Sequence, residues 1–282
     1  MTSVGLIVST YKSPDFLRLV LESVLTQTLI PDEVVITEDG TLPENETLIA
    51  EFKERFRAKN PRTSVFHLKQ IDKGNRKPLA LNRAVSTVKS DYLVFIDGDC
   101  ILRRDFLEAH LELSAEDRFL TGRRVELSEK FTKSLIVDRV PDRIPSGFFN
   151  GLSFALLWDC VFGDTKSLGR LFRTPPALRS LLARNEVFDI RGCNFSVHRK
   201  HLMAINGFSN FFSGAYGEDS DVEHRLKFLG LRMASVKGAA IQFHLWHKTQ
   251  PKDLRNQEYL SRVLRERNIQ TPDGLAQIGQ HA

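Results

Sequence analysis

Over its first 125 residues the chain alternates short, β-branched apolar runs with amphipathic helical patterns, and no other feature limits its fold as much. Residues 4–9 read as a strand buried on both faces. Ser13-Pro14 reads as helix cap and first helical position, opening a helix to about residue 26 with Phe16, Leu17, Val20, Leu21 and Val24 on one side. The pattern then repeats. A strand at 34–37 closes in the turn Glu38-Asp39-Gly40, and a helix at 43–59 buries Leu48, Ile49, Phe52 and Phe56. A strand at 65–68, a helix at 78–88 and a strand at 92–96 follow. Strands separated by helices are joined by right-handed crossovers into a parallel sheet. The predicted class is α/β, a Rossmann-like, mostly parallel central sheet flanked by helices.

Beyond this region the alternation fades. Pro141, Pro145, Pro175 and Pro176 punctuate the segment 128–190, where 148–162 is strongly apolar. Residues 165–184 carry five basic side chains (Lys166, Arg170, Arg173, Arg179 and Arg184), no acidic one, and leucines at helical spacing. Regular structure resumes near Phe188; a helix is predicted at about 254–267, and the polar tail 270–282 is expected to be loose. A hydrophobic fraction of 41% with 27% charged residues supports a sizeable core and excludes disordered, collagen-like and disulfide-scaffold chains. Forty basic against 35 acidic residues leave a net charge of +5, a mild lean toward anionic partners. No nucleic-acid recognition motif is present, so no nucleic-acid partner is expected. Cys100, Cys160 and Cys193 are widely spaced with no CxxC, as for free thiols in a reducing compartment. The apolar run at the N-terminus is too short for a signal segment, and no run of about 18 apolar residues occurs elsewhere. The expected location is cytoplasmic, with peripheral attachment at the inner face of the cytoplasmic membrane.

Three motifs carry chemistry. First, the apolar strand 92–96 ends in Asp97-Gly98-Asp99-Cys100, and open α/β sheets bind ligands at that strand edge. Two adjacent buried carboxylates resist ionisation unless a cation lies with them. A hard divalent ion that also touches substrate phosphates meets that need; the plain alternative is an ordinary turn. Second, a glycine-rich turn leads into Glu218-Asp219-Ser220-Asp221-Val222-Glu223. Acids at a helix start suit its dipole, or one of them serves as general base to a bound hydroxyl. Third, Gln242-Phe243-His244-Leu245-Trp246-His247 follows a strand-like run at 239–241. Neutral imidazoles ligate Mn²⁺ beside carboxylates. Residues three apart on a strict strand face opposite sides, so both histidines reach one ion only if the backbone turns.

Together these pieces resemble a family. Val8-Ser9-Thr10-Tyr11-Lys12, Glu38-Asp39-Gly40, Gly74-Asn75-Arg76 with Ala80-Leu81-Asn82-Arg83-Ala84, and Asp97-Gly98-Asp99 look like the N-terminal half of a family 2 glycosyltransferase of the GT-A fold. Arg191-Gly192-Cys193-Asn194-Phe195-Ser196-Val197, Asn206-Gly207-Phe208 and Gly217-Glu218-Asp219-Ser220-Asp221 resemble the C-terminal segment shared with β-1,4-galactosyltransferases. The likeness covers about residues 3–125 and 188–250. It implies a single GT-A domain over 1–250: a nucleotide-sugar-binding half at 1–125, a helical insertion at 126–187, and an acceptor and catalytic half at 188–250. A C-terminal helix and tail occupy 251–282.

The resemblance also implies roles. Thr10 and Asp39 would lie near uracil and ribose, and Arg76 nearer the phosphates. Asp97 and Asp99 would grip the ribose and a divalent ion, Mn²⁺ or Mg²⁺. Asp219 matches the catalytic base of inverting members, with Glu218 orienting acceptor or donor sugar. His247 matches the late metal-ligand histidine; His244 stands where related enzymes can carry Met, so the choice between them stays open.

The function so implied is metal-dependent, inverting transfer from a nucleotide-sugar, a UDP-sugar first, to a hydroxyl of a glycan or lipid-linked glycan in bacterial surface polysaccharide or lipopolysaccharide synthesis. A sugar nucleotidyltransferase is a second reading, but the glycine-rich basic loop it needs after the first strand is replaced by Ser9-Thr10-Tyr11-Lys12. A non-catalytic nucleotide- or sugar-binding module is a third, and it would have no need of a base at Asp219. The basic stretch 165–184 beside the apolar 148–162 suits contact of 148–184 with an anionic lipid surface or lipid-linked acceptor. Core or dimer helices with a solvated basic face are the plain alternative there.

Overall fold

The computed structural model describes residues 2–137, 158–161, 163–166, 170, 174–175, 189–214, 216–248 and 253–281. Strands β1 (Val4–Thr10), β2 (Glu33–Asp39), β3 (Ser64–Gln70) and β4 (Tyr92–Asp97) are connected by helices α1 (Pro14–Leu25), α2 (Pro43–Lys59) and α3 (Lys77–Thr87). After β4 come β5 (Cys100–Leu102), α4 (Phe106–Glu112), β6 (Arg118–Thr121), β7 (Arg124–Glu126) and α5 (Glu129–Val137). The later half supplies β8 (Phe195–His198), α6 (Arg199–Ala204), α7 (Glu218–Phe228), β9 (Arg232–Ser235), β10 (Gln242–His244) and α8 (Leu254–Glu266), and then a 3₁₀ helix at Leu275–His281.

The main sheet has seven strands in the order β3-β2-β1-β4-β8-β6-β9. The first four are mutually parallel, β8 runs antiparallel to both its neighbours, and β9 is parallel to β6. All seven residues of β1 are buried. Successive side chains of a strand point to opposite faces. Leu6 and Val8 accordingly join Leu17, Val20 and Val24 of α1 and Phe52 and Phe56 of α2 in one core, whereas Ile7 joins Ala84 and Val85 of α3 and Val222 and Leu226 of α7 in the other. A strand that must satisfy two cores reads as a continuous apolar run.

Several sequence expectations change in detail. Ser13 does precede α1, but its hydroxyl donates to the Tyr11 carbonyl (3.0 Å) and makes no cap. The strand-like run at 239–241 is a turn, in which Ala239 and Ala240 N–H donate to the Val236 carbonyl (both 2.9 Å), and the strand begins at Gln242. That strand lies in a separate three-stranded sheet, β5-β10-β7, which no local pattern announces.

The tail expected to be loose is docked. Asn206 and Gly207 turn the chain at positive φ (63° and 72°), and the Asn206 amide donates to the Thr271 carbonyl (2.8 Å). Leu275 N–H donates to the Asn206 carbonyl (2.9 Å), and the Leu275 side chain packs where a Cβ on Gly207 would stand, 2.5 Å from Leu275 Cγ. Much of the expected insertion at 126–187, and most of the proposed membrane-facing stretch 148–184, lies outside the described residues. Among the described residues no helix is long and apolar enough to cross a membrane.

Candidate active site

A cleft of about 430 Å³ opens at the C-terminal edge of β1, β2 and β4. Thr10, Asp39, Lys77, Asp97, Asp99 and His247 are among the residues that line it. Gly98 lets the strand end fold tightly onto β1: its N–H donates to the Ser9 carbonyl (2.7 Å), and a Cβ there would meet Thr10 Oγ1 at 2.6 Å. Asp39 is nearly buried and accepts from the Gln70 amide (2.6 Å) on Oδ1 and from the Arg76 backbone N–H on Oδ2. The Arg76 guanidinium turns away to the Ile71 carbonyl, so it is the neighbouring Lys77 that faces the cleft.

The two carboxylates of the Asp97-Gly98-Asp99 turn have different partners. Asp97 Oδ1 accepts from Ser9 Oγ (2.8 Å) and pairs with Lys77 Nζ (2.7 Å). Asp99 instead faces two imidazoles, with Oδ2 lying 3.3 Å from His244 Nε2 and 3.2 Å from His247 Nε2. His244 ends β10, so strand alternation does not extend to His247, and both histidines reach Asp99. The two neighbouring carboxylates therefore have separate nitrogen partners.

The small sheet builds this second cluster. In its register His244 stands opposite Cys100 of β5 on one side and Glu126 of β7 on the other. Burial opposes charge at Asp99 and His244, but hydrogen bonding outweighs it, from His244 and His247 at Asp99 and from Asp99 and Glu126 at His244. Asp99 is held well below the usual carboxylate range, and His244 is pushed up to about 9. The bond to Asp99 likewise raises His247. Ligand atoms of Asp99, His244 and His247 all lie within 4.8 Å of one another. Two imidazole nitrogens and a carboxylate oxygen converging in this way form a donor set suited to Mn²⁺ and related divalent ions. Asp97, ion-paired to Lys77, stands outside that trio.

The acidic run at α7 divides by function. Asp221 forms a buried ion pair with Arg225, whose Nε lies 2.9 Å from Asp221 Oδ1. Glu223 accepts from the Ile190 N–H (2.7 Å) and pairs with Lys227 (2.5 Å). Both are structural. Asp219 Oδ2 accepts from the Gly192 N–H (2.9 Å), while its buried Oδ1 has no hydrogen-bond partner. Withdrawal from water raises Asp219 against the pull of Lys77. The same desolvation, reinforced by Asp219 next door, lifts Glu218 to about 7. The Arg191-to-Val197 motif places this contact. Asn194 is fully buried, donates to the carbonyls of Arg123 (3.1 Å) and Ala240 (3.3 Å), and so fixes the turn that presents Gly192.

The two halves meet at the start of α3. Gly214 N–H donates to the Asn75 carbonyl (3.2 Å), which ties the loop before α7 to the segment that leads into α3. Burial works against the Lys77 ammonium, yet the surrounding Asp97, Asp219 and Glu218 push its pKa well above the ordinary lysine value. Asn256 of α8, 1% exposed, clamps the same loop by donating to the carbonyls of Ser213 (2.9 Å) and Tyr216 (2.7 Å).

Sequence reasoning overlooked Lys77, Glu126 and Asn256. A lysine just before Pro78, opening an otherwise apolar helix, was a readable signal. Glu126 and Asn256 gave none, because their partners are 118 and 40–43 residues away.

The chain belongs to glycosyl transferase family 2, whose family model matches residues 6–202. A second family model, described as the N-terminal domain of galactosyltransferase, matches residues 177–248. Chondroitin synthase of Escherichia coli is 22% identical over 249 residues, covering 83% of this chain and 34% of that protein. The chain thus spans about a third of that relative's length. The mannosyltransferase PcManGT from Pyrobaculum calidifontis, solved with GDP-Man and Mn²⁺, superposes with a TM-score of 0.56 at 16% identity, over 88% of this chain and 58% of that one. GalNAc-T7 with UDP, GalNAc and Mn²⁺ superposes with a TM-score of 0.62 at 12% identity, over 93% of this chain and 48% of that one. The fold is GT-A, that of the family to which the chain belongs.

Proposed function

We propose that the protein is a divalent-metal-dependent, inverting glycosyltransferase that moves a sugar from a nucleotide-sugar, a UDP-sugar first, to a hydroxyl of a glycan or lipid-linked glycan. One observation carries this reading: Lys77, which lines the cleft, pairs with Asp97, and Asp219 and Glu218 of α7 lie near enough to act on its charge. The nucleotides and Mn²⁺ bound in the similar structures support it.

In this scheme Thr10 and Asp39 hold the nucleoside and Asp97 the ribose. Asp99, His244 and His247 would hold Mn²⁺ or Mg²⁺. A divalent ion so held supplies Lewis-acid stabilisation for the charge that develops on the departing diphosphate. Lys77 adds a fixed positive charge on the same side. Asp219, oriented by the Gly192 N–H, accepts the proton of the acceptor hydroxyl as that oxygen attacks the anomeric carbon. Glu218 orients a sugar hydroxyl. A single displacement with a base on the attacking side inverts the configuration, so an α-linked donor gives a β-linked product. We place the acceptor among bacterial surface glycans, polysaccharide or lipopolysaccharide, assembled at the inner face of the cytoplasmic membrane with peripheral contact through 148–184. The likeness to a bacterial chondroitin synthase supports that placement.

A thermal-shift screen of nucleotide-sugars with and without Mn²⁺ tests the donor, and the anomeric configuration of the product, read by NMR, tests inversion. Retention of configuration would remove Asp219 as the base.

Two further outcomes follow from the Asp219 environment. A base works only when ionised, and burial raises the pKa values of both Asp219 and Glu218, the latter to about 7. Transfer should therefore fall on the acid side at a higher pH than an ordinary aspartate would set and level off above it; a kcat/KM with the acid limb of an unshifted carboxylate contradicts the assignment. Gly192→Ala would put a Cβ 2.2 Å from Asp219 Oδ1, and the carboxylate must swing away. Misplacing a reacting group by about 1 Å costs on the order of 10²-fold. That loss is expected with little change in melting temperature, and a fully active Gly192→Ala enzyme would show that the carboxylate's placement does not matter.

A further inference from the structure

Each imidazole that faces Asp99 has two nitrogens, and only a bare one can bind a cation. The proton must then sit on the other nitrogen, which needs an acceptor of its own. His247 Nδ1 lies 3.0 Å from the Lys248 carbonyl, which can only accept, so this contact selects the form protonated on Nδ1. His244 achieves the same with a side chain: its Nδ1 lies 2.9 Å from Glu126 Oε2, while Nε2 is turned to Asp99. Both rings therefore present Nε2 to the same carboxylate oxygen.

Glu126 is itself held. Arg124, two residues earlier on β7 and on the same side of the strand, donates from Nε to Glu126 Oε1 (2.8 Å). Arg124 is anchored in turn by a contact from Nη1 to Cys193 Sγ (3.7 Å), and its carbonyl accepts from Arg170 (2.8 Å). The parallel ladder between β7 and β10 sets Glu126 opposite His244, so backbone pairing fixes the approach of the two side chains.

We propose that Glu126 is a positioning residue of the metal centre, holding His244 in the Nδ1-protonated tautomer with Nε2 aimed at a divalent cation shared with Asp99 and His247. The inference rests on the metal-dependent reading above and adds to it a residue outside the ligand trio. Carboxylates behind ligating histidines fix ring orientation and raise ligand basicity, and their loss typically weakens metal binding by about 10–100-fold.

The test is Mn²⁺ binding to the intact protein in the presence of UDP, followed by electron paramagnetic resonance, for wild type, Glu126→Gln and Glu126→Ala. Glu126→Ala should bind Mn²⁺ about 10–100-fold more weakly, and the nitrogen modulation of the bound ion should fall from two imidazoles to one. Glu126→Gln keeps an acceptor without the charge and should fall between. UDP binding in the presence of EDTA should be the same in all three, which a general loss of structure would not leave intact. Wild-type Mn²⁺ affinity and two-imidazole modulation in Glu126→Ala would overturn the role. If Glu126→Ala fails to fold, the Gln variant decides: several-fold weaker binding supports the role, and wild-type affinity overturns it. Failure of the wild type to bind Mn²⁺ at all would instead sink the metal-dependent reading, and this inference with it.

Discussion

Asp219→Asn is expected to bind nucleotide-sugar as the wild type does and to transfer the sugar about 10²–10⁴-fold more slowly, the usual range for losing a general base. The amide can still accept the Gly192 N–H through its oxygen, so the local fold should survive. What it loses is the capacity to take up a proton. In the wild type one carboxylate oxygen is oriented by that N–H while the other is buried without a hydrogen-bond partner. A buried acceptor left unsatisfied is costly, and a catalytic role is one of the recognised reasons for a protein to keep one. The acceptor hydroxyl is the donor that would complete this one. Steady-state kinetics together with nucleotide binding separates the two effects, and an Asp219→Asn enzyme of normal kcat would end the assignment.

The second large effect should come from the metal side. Chelation with EDTA should abolish transfer and added Mn²⁺ should restore it. Asp99→Ala should lose at least about 10²-fold in kcat/KM even at high Mn²⁺, since the charge stabilisation a metal provides is worth several kcal/mol. On this proposal Asp99 should matter more than Asp97. Asp99 is the group on which His244 and His247 both converge, whereas Asp97 is already neutralised by Lys77 and held by Ser9. Transfer that survives chelation at full rate would contradict this arrangement.

What could be read from the sequence was whatever local periodicity controls. The four parallel strands and the helices between them follow from apolar runs and from i, i+4 patterns such as Phe52 and Phe56, and these fall where expected. The Asp97-Gly98-Asp99 turn was legible because a strand ends on it. Of its partners the histidines, about 145 residues later, were legible from their own motif, whereas Lys77 was not, because it arrives from a crossover. The β5-β10-β7 sheet was hidden for the same reason. Its strands are three residues each, too short to show alternation, and they form only by pairing segments near positions 100, 124 and 242. The tail looked unstructured because it is polar, and it is ordered by the Asn206 side chain and by the room that Gly207 leaves for Leu275.

Calorimetric titration of UDP, or of GDP if it binds more tightly, with and without Mn²⁺ tests most directly whether nucleotide and cation share the cleft at the ends of β1 and β4. Mn²⁺ is expected to tighten nucleotide binding in the wild type and in Asp219→Asn, and to have no such effect in Asp99→Ala. Nucleotide binding in the wild type that is indifferent to Mn²⁺ would contradict the account.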